Sequence, residues 1–228
     1  MTGKIFLAGG GDEKQSFVID EIFLKDVKKI LYIPIARKDG NYGECLNWFR
    51  KAMGNHKKVQ IEMCVDLNNK INVEEYDAMY IGGGNTFKLL KNIKDSGFDK
   101  KLLKYYKSGG IIYGGSAGAI IWGRDISIAL ICYDVDENSI GLKDTSGINI
   151  LNGIDIQCHY HASQRGEHFK YIAKTKKNIV AIPEESALVL EGEKCSVVGE
   201  KPIFLITQKE YKEFSPNEII KLKWKENS

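Results

Sequence analysis

The sequence has no long uninterrupted hydrophobic run, although 43% of its 228 residues are hydrophobic. Its first apolar segment, Ile5–Ala8, is short and leads directly into Gly9-Gly10-Gly11-Asp12. A membrane-spanning helix needs about 20 apolar residues, and a secretory leader needs a basic start, an apolar stretch and a small-residue cleavage site. We therefore expect neither segment, no membrane partner and a cytoplasmic protein.

Paired cysteines and an excess of charge are also missing. The five cysteines show no C-x-x-C spacing, which favours reduced structural thiols over a disulfide framework or a metal cluster. The net charge is only +3, from 33 basic and 30 acidic residues. Lysines at 100–107 and 221–225 have the spacing of a solvated helix face and of a chain end, so we expect no nucleic-acid partner.

The chain contains no internal repeat and no Pro- or Ser-rich linker, which predicts a single α/β domain over residues 1–228. Over its first two thirds, short apolar runs alternate with amphipathic stretches, a pattern typical of parallel strands joined by crossover helices. The predicted strands are Ile5–Ala8, Lys29–Ile33, Val59–Met63, Ala78–Ile81 and Gly110–Tyr113. The predicted helices are Gln15–Leu24, Glu44–Met53, Phe87–Asn92 and Phe98–Tyr106.

The last third of the chain has a different pattern of apolar and polar segments. The polar segment Asp134–Gly153 predicts a long loop or hairpin over one face, followed by strand Ile154–Cys158, helix His168–Thr175 and strand Ile179–Ile182. Further apolar runs separated by turn signals predict antiparallel strands that complete the sheet. These runs are Ala187–Leu190, Cys195–Val198, Ile203–Thr207 and Ile219–Leu222. These strands could provide a sheet edge for a homodimer, but their alternating apolar pattern does not specify an oligomeric state.

A serine stands at a predicted strand-to-helix turn. Residues 114–118 read Gly-Gly-Ser-Ala-Gly, between the apolar runs 110–113 and 119–122. Small neighbours let the chain turn sharply and expose the hydroxyl of Ser116, as in a nucleophile elbow. The first amides of the next helix would then face the reacting centre and stabilise an oxyanion. Small residues also serve to pack strands against helices, so the motif alone leaves both interpretations open.

Two further glycine-rich turns follow predicted strands: Gly9-Gly10-Gly11, and Gly82-Gly83-Gly84-Asn85. Loops that follow parallel strands gather along one edge of a sheet, so these turns are expected near the serine. A nucleotide site is the alternative, but the chain has neither G-x-G-x-x-G spacing nor a P-loop lysine in register, and we expect no cofactor. The second turn better suits an oxyanion hole, in which an amide of Gly83 or Gly84 acts together with that of Ala117.

A serine nucleophile needs a base within hydrogen-bond reach, and the chain has four histidines. His159 is favoured because it follows the predicted strand Ile154–Cys158, at the sheet edge where Ser116 stands. His161, two residues on, would point the same way in an extended chain and is a candidate substrate contact. A zinc site is the alternative for this His-x-His pair, but no third ligand has suitable spacing, so we expect no metal.

The base in turn needs an acidic partner that fixes its tautomer. Glu184 follows the predicted strand Ile179–Ile182, again at a carboxyl end, whereas most acidic residues between Ser116 and His159 fall in the predicted loop. A capping or turn carboxylate is the alternative role for Glu184. The resulting order is Ser, His, Glu, which differs from the Ser, Asp/Glu, His order of the α/β-hydrolases.

Four segments together resemble peptidase family S51, the serine peptidases that include aspartyl dipeptidase (dipeptidase E) and cyanophycinase. The matching segments are Ile81-Gly82-Gly83-Gly84-Asn85-Thr86-Phe87, Gly114-Gly115-Ser116-Ala117-Gly118-Ala119, Cys158-His159-Tyr160 and Ile182-Pro183-Glu184. They occur in the family's order. The resemblance implies a flavodoxin-like fold similar to class I glutamine amidotransferases, with a mostly parallel sheet, helices on both faces and C-terminal antiparallel strands.

The resemblance also implies roles for the site residues. Ser116 would be the nucleophile, His159 the general base and Glu184 its orienting acid. The oxyanion hole would come from Gly83, Gly84 and Ala117. Because family members cleave after an acidic residue, the expected substrate is a small peptide, in particular a dipeptide with an N-terminal Asp, hydrolysed through an acyl-enzyme on the serine.

The acidic side chain of such a substrate needs a cationic or polar partner. Arg165, shortly after His159, is the candidate, because an arginine fork binds a carboxylate through two parallel hydrogen bonds. A helix-entry arginine on the surface is its alternative role. Asn85 and His161 are the other candidate substrate contacts.

Two other functions stay open at this point. An amide hydrolase similar to the amidotransferases would keep the fold, but those enzymes normally carry cysteine where Ser116 stands. A catalytically silent protein would keep the pocket and use it to bind a small peptide or an amino acid. Labelling of the serine and dipeptide hydrolysis would separate these functions from a serine peptidase.

Overall fold

The computed structural model describes residues 3–220. The predicted alternation of strands and helices is present in its first half. The strands are β1 (Lys4–Ala8), β2 (Lys29–Ile33), β3 (Gln60–Met63), β4 (Ala78–Ile81) and β5 (Ile111–Gly115). The helices are α1 (Phe17–Leu24), α2 (Tyr42–Gly54), α3 (Thr86–Asp95), α4 (Phe98–Lys107) and the short α5 (Ala117–Ile120).

Between α5 and residue 220 the structure contains one further α-helix and seven strands. The helix is α6 (Arg165–Thr175). The strands are β6 (Ile154–Gln157), β7 (Asn178–Ala181), β8 (Ser186–Glu191), β9 (Lys194–Gly199), β10 (Ile203–Ile206), β11 (Tyr211–Phe214) and β12 (Ile219–Ile220). The sequence did not predict β11, because its residues Tyr-Lys-Glu-Phe form no apolar run.

The main sheet has eight strands in the order β12-β9-β8-β1-β5-β4-β2-β3. The five strands from the first half of the chain are parallel, and β8, β9 and β12 extend the sheet in antiparallel fashion. Gly115 lies opposite Ala8 on β1, and Gly114 lies opposite Ile81 on β4. The carboxyl ends of β1, β4 and β5 are therefore level, and the three glycine-rich turns that follow them lie side by side.

Alternate residues of the parallel strands face different layers of helices. Ile5 and Leu7 belong to a buried cluster shared with α3, α4 and α5, whereas Phe6 and Ala8 belong to a second cluster shared with α1 and α2. Both faces of the sheet are covered, as the apolar strand sequences require. This arrangement confirms the predicted α/β fold with helices on both faces of a mostly parallel sheet.

The later strands do not all complete the main sheet. β10 and β11 join a separate four-stranded sheet with the order β11-β10-β7-β6, in which β6 and β7 are parallel. The prediction that Ile203–Thr207 extends the main sheet is therefore wrong: β6 occupies one edge of β7, and the free edge of β7 pairs with β10. The predicted last strand is present at Ile219–Ile220, and its residues 221–222 lie outside the described residues, as do the lysines at 221–225.

The predicted polar loop covers the beginning of α3. After a 3-10 helix at Ile126–Ile131, the segment continues without a regular strand to β6. The carboxylate of Asp136 accepts hydrogen bonds from the amide of Thr86 at 2.8 Å and from its hydroxyl at 2.6 Å. The loop is thereby fixed beside the turn 82–85. Within residues 3–220, no helix has the length and apolar character needed to cross a membrane.

Candidate active site

Ser116 lies in a sharp turn between β5 and α5. Its backbone has φ 52° and ψ −115°, a conformation that residues other than glycine rarely adopt. The turn is held by the Ser116 amide, which donates to the carbonyl of Ala8 at 3.1 Å, and by its carbonyl, which accepts from Ala119 and Ile120. The surrounding hydrogen bonds therefore fix a strained serine at the carboxyl edge of the sheet.

His159 follows β6 and is also held in an unusual backbone conformation, with φ 51°. Its amide donates to the carbonyl of Gly9 at 3.0 Å. Its ring nitrogen Nε2 lies 2.8 Å from Ser116 Oγ, which is hydrogen-bond distance. The next amide, of Tyr160, donates to Ile182 at 3.1 Å. The histidine thus connects the end of the second sheet to the serine on the main sheet.

Glu184 follows β7 and extends this chain of hydrogen bonds. Its Oε1 lies 2.8 Å from His159 Nδ1, and its Oε2 accepts a 2.6 Å hydrogen bond from Gln15 Nε2. Gln15 is itself oriented by the amide of Asp12, which donates to Gln15 Oε1 at 2.9 Å. With the His159 proton on Nδ1, donated to Glu184, Nε2 is free to accept the proton of the Ser116 hydroxyl.

The sequence predicted that the turn Gly9–Gly11 lies near the serine, but sequence reasoning missed Gln15 and the contacts that this turn makes. A Cβ on Gly9 would lie 1.9 Å from the Pro183 carbonyl oxygen. A Cβ on Gly10 would lie 2.7 Å from both Ser116 Cβ and the His159 ring. The Gly-Gly-Gly-Asp sequence after a strand was a visible signal of such a close approach, although it did not reveal which segments meet there.

The three candidate oxyanion-hole residues differ in their position relative to Ser116. A Cβ on Gly83 would lie 3.6 Å from Ser116 Oγ, so the Gly83 backbone passes directly beside the serine. Ala117 is the first residue of α5, where the amide has no partner within the helix. Gly84 instead packs on the loop after β2, because a Cβ there would lie 2.4 Å from the Ala36 carbonyl oxygen. Gly83 and Ala117 are therefore better positioned than Gly84 to donate to an oxyanion.

Asn85 does not reach the cleft. It is buried, and its side-chain oxygen accepts from the Lys88 amide at 2.9 Å as the N-cap of α3. Its amide nitrogen donates to the Glu137 carbonyl at 2.9 Å and contacts Asp136. The side chain is thus occupied in joining α3 to the polar loop, which corrects the expectation that it contacts substrate.

His161 and Arg165 also lie away from the pocket beside the serine. The ring of His161 caps a short helical turn, with Nδ1 2.7 Å from Ser163 Oγ, and packs near Tyr133. The guanidinium of Arg165 lies over the ring of Tyr211, 4.2 Å from its centroid, against the second sheet. Neither residue lines the pocket that opens beside Ser116.

A pocket of about 410 Å³ opens beside Ser116. Besides the serine and neighbouring glycines, the described residues that line it are the aromatic Tyr32, Trp48 and Tyr80 and the polar Arg37, Glu44 and Cys45. Sequence reasoning missed these six side chains. The only available signal was that Arg37 follows β2 at the same carboxyl edge. A space of this size and mixed lining suits a small polar molecule.

Cys158 contacts the backbone of the turn that carries the serine. It is buried, and its thiol donates to the carbonyl oxygens of Ala8 and Ser116, both at 3.5 Å. Burial raises the pKa of Cys158 well above its ordinary value, because the thiolate would lose its solvation. The residue is therefore a neutral thiol that fixes backbone. Among residues 3–220, no three His, Cys, Asp or Glu side chains are grouped as metal ligands.

Comparisons with known proteins point to one family. The model of Peptidase family S51 matches residues 5–198. Peptidase E of Actinobacillus pleuropneumoniae serotype 5b is 25% identical, over 92% of this chain and 94% of that protein. Peptidase E of Pasteurella multocida is 23% identical, over 91% and 94%. The crystal structure of a peptidase from an acI-B1 Actinobacterium has the same fold, with a TM-score of 0.70, 21% identity and 97% of both chains covered.

Proposed function

The chain belongs to peptidase family S51 and is a peptidase, and on this premise we propose that it is a serine dipeptidase that prefers an N-terminal Asp. The observation that carries the proposal is the hydrogen-bonded series Ser116, His159 and Glu184, with 2.8 Å between each pair of partners. A serine hydroxyl is a weak nucleophile at neutral pH unless a base accepts its proton. The 2.8 Å distance between His159 Nε2 and Ser116 Oγ supports the histidine as that base.

In the proposed mechanism, Ser116 Oγ attacks the carbonyl carbon of the scissile bond while His159 Nε2 accepts the hydroxyl proton. Glu184 stabilises the resulting imidazolium through Nδ1. The negative oxygen of the tetrahedral intermediate accepts hydrogen bonds from the Gly83 and Ala117 amides. His159 then gives its proton to the leaving amine, which leaves an acyl-enzyme. A water molecule, activated by the same histidine, releases the product acid and restores the serine.

The size of the pocket supports a small substrate. A space of about 410 Å³ beside the serine accommodates one short peptide end and not a folded chain. We further propose that the peptidase acts in the cytoplasm. All five cysteines are free, and reduced thiols are typical of cytosolic proteins.

The decisive experiment is the hydrolysis of Asp-Leu by the wild type and by Ser116→Ala. We expect the variant to lose at least about a thousandfold in kcat, because the nucleophile is gone. A fluorophosphonate probe should label the wild type at Ser116 and leave the variant unlabelled. Ser108→Ala, which removes a hydroxyl at the end of α4, is the matched control and should behave as the wild type.

Other outcomes would favour a different function. A folded wild type that neither reacts with the probe nor hydrolyses acidic dipeptides would instead be a silent peptide-binding protein. Hydrolysis of Asn-Leu or Ala-Leu at the same rate as Asp-Leu would retain the serine peptidase and reject the preference for Asp. Unchanged hydrolysis in folded Ser116→Ala would reject the nucleophile itself.

A further inference from the structure

The pocket beside Ser116 contains two opposite charges that the proposed mechanism does not use. Arg37 and Glu44 both line it, and Arg37 Nη2 lies 3.7 Å from Glu44 Oε2. Arg37 Nε is held by Asp39 Oδ1 at 2.9 Å. The Arg37 side chain is 43% exposed and that of Glu44 68% exposed. A long ion pair between exposed groups contributes little to stability, so a ligand can separate it at small cost.

The loop that carries Arg37 is fixed relative to the serine. The Arg37 amide donates to the Pro34 carbonyl at 3.0 Å, and its carbonyl accepts from Lys88 Nζ at 2.6 Å. The neighbouring Ala36 carbonyl accepts from the Asn85 amide at 2.8 Å, at the turn that also carries Gly83. The arginine and the candidate oxyanion donor therefore belong to one tightly joined pair of loops.

Glu44 is presented by the first turn of α2. The helix begins at Tyr42, after an N-cap at Asn41 whose side chain accepts from the Glu44 amide at 3.4 Å. Three aromatic residues, Tyr32, Trp48 and Tyr80, line the same pocket as Glu44 and the serine. Aromatic faces together with a carboxylate favour an ammonium group, through cation–π attraction and a charge-assisted hydrogen bond.

We propose that Arg37 and Glu44 form the subsite for the N-terminal residue of the substrate, an extension that rests on the proposed dipeptidase function. Glu44 binds the free α-ammonium group. Arg37 binds the side-chain carboxylate through its two terminal nitrogens, since Asp39 already occupies Nε. An N-terminal Asp carries both an ammonium group and a side-chain carboxylate. Its ammonium group takes the place of Arg37 beside Glu44, and its carboxylate takes the place of Glu44 beside Arg37.

This assignment moves carboxylate recognition from Arg165 to Arg37. Arg165 stacks on Tyr211 and does not line the pocket, whereas Arg37 shares the pocket with Ser116. The two arginines consequently make a matched pair of variants for a test. Cys45 supplies an independent reporter of ligand binding, because it lines the same pocket. Its thiol is half-buried, whereas the other four cysteines are buried.

Binding is measured by calorimetry on Ser116→Ala, which cannot turn the ligand over through the serine. Three ligands separate the two charges: Asp-Leu, Asn-Leu, which lacks the side-chain carboxylate, and succinyl-Leu, which lacks the α-ammonium group. We expect Arg37→Ala to remove the preference for Asp-Leu over Asn-Leu, because the affinity for Asp-Leu falls by about ten- to a hundredfold. Glu44→Gln should similarly remove the preference for Asp-Leu over succinyl-Leu.

The controls locate the effect. Arg165→Ala should keep both preferences, and Arg37→Lys should keep part of the carboxylate preference because it retains the charge without the fork. Saturating Asp-Leu should slow alkylation of Cys45 by iodoacetamide. Circular dichroism spectra identical to that of the parent protein establish that each variant is folded.

Failure of this subsite and failure of the proposed function give different results. Loss of the Asp preference in Arg165→Ala, or its retention in Arg37→Ala and Arg37→Lys, would overturn the assignment of Arg37. Unchanged alkylation of Cys45 in the presence of bound Asp-Leu would overturn the assignment of the pocket. If the binding preferences follow Arg37 and Glu44 but the wild type does not hydrolyse Asp-Leu, the subsite stands and the peptidase mechanism fails.

Discussion

Two residues of the candidate site adopt backbone conformations that cost energy. Ser116 and His159 both have positive φ values, each of which costs about 1–3 kcal/mol for a residue other than glycine. Both are fixed by amides that donate to the end of β1, at Ala8 and Gly9. The strain therefore persists because hydrogen bonds from one neighbouring segment determine both positions, which brings the hydroxyl and the imidazole to 2.8 Å.

Gln15 contacts Glu184 and not the serine, so in the proposed mechanism it is a positioning residue. We expect Gln15→Ala to lower kcat by about tenfold with KM unchanged, because the loss of one charge-assisted hydrogen bond lets the carboxylate turn away from His159. Steady-state hydrolysis of Asp-Leu measures the two constants. Gln60→Ala, at the exposed first position of β3, is the control. A rise in KM without a change in kcat would contradict this role and indicate contact with substrate.

Asp20 is a buried acid on α1, and its carboxylate accepts a hydrogen bond from Ser16 Oγ at 2.8 Å. Burial raises the pKa of Asp20 from 3.8 to about 7. Between these two pKa values, Asp20 is ionised in the unfolded chain and still protonated in the folded protein. Its contribution to stability is therefore full below pH 3.8 and declines as the pH rises to about 7.

The replacement Asp20→Asn should remove this pH dependence. Asparagine keeps an acceptor for Ser16 and carries no charge, so we expect the free energy of unfolding at pH 8 to increase, by up to about 4 kcal/mol. The gain should disappear when the same comparison is made near pH 4. Urea unfolding at the two pH values measures it. An equal difference at both values would show that the ionisation of Asp20 does not contribute.

Among the elements, the turn after β1 is the contact point for the three segments of the site. Gly9 has no room for a side chain, since a Cβ would lie 1.9 Å from the Pro183 carbonyl oxygen. We expect Gly9→Ala to push the segment carrying Glu184 away from β1, with a loss of about 1–3 kcal/mol in stability and of at least about a hundredfold in kcat. Thermal unfolding and Asp-Leu hydrolysis measure the two effects.

A glycine with open space around it provides the comparison. Gly54, at the end of α2, has nothing within 4 Å of the position of a Cβ. Gly54→Ala should retain activity and keep or slightly raise the unfolding temperature, because alanine favours the helix. Full activity in Gly9→Ala would mean that the Pro183 segment can move back without disturbing the site.

The regular elements of the first half could be predicted because local pattern and environment agree there. Strands β1, β2 and β4 are apolar and buried on both faces, and each glycine-rich turn ends a strand. The same logic predicted that Ser116, His159 and Glu184 meet, because each follows a strand, but the single sheet edge it assumed is wrong, since β6 and β7 belong to the second sheet. These features depend on periodicity and on turn chemistry, which are written in a few adjacent residues.

The remaining features depend on long-range pairing. Nothing local indicates that β10 pairs with β7 and not with the main sheet, since its residues Ile-Phe-Leu-Ile are apolar in either case. Arg37 and Arg165 both lie near a carboxyl strand end, and only the packing of the chain turns one into the pocket and the other onto Tyr211. Side-chain direction in loops is decided by tertiary contacts and not by spacing.

At the scale of the whole molecule, the candidate site spans two sheets. Ser116 follows β5 of the main sheet, whereas His159 and Glu184 follow β6 and β7 of the second sheet. One continuous buried cluster nevertheless contains residues from both, including Ile5 on β1 and Ile179 on β7. A shared core makes separate unfolding of the second sheet costly, because it would expose apolar surface on both sides.

We therefore expect one cooperative unfolding transition, as the predicted single domain requires. Asp-Leu hydrolysis and far-ultraviolet circular dichroism should lose their signal at the same urea concentration. Ile206→Ala, fully buried in β10 and remote in sequence from the site, should lower both midpoints equally and cost about 2–5 kcal/mol. The contrary result is loss of hydrolysis at a lower urea concentration than loss of the helix signal, with a gap between the two midpoints that Ile206→Ala widens. That result would mean that the second sheet unfolds by itself and carries the histidine and the glutamate away from the serine.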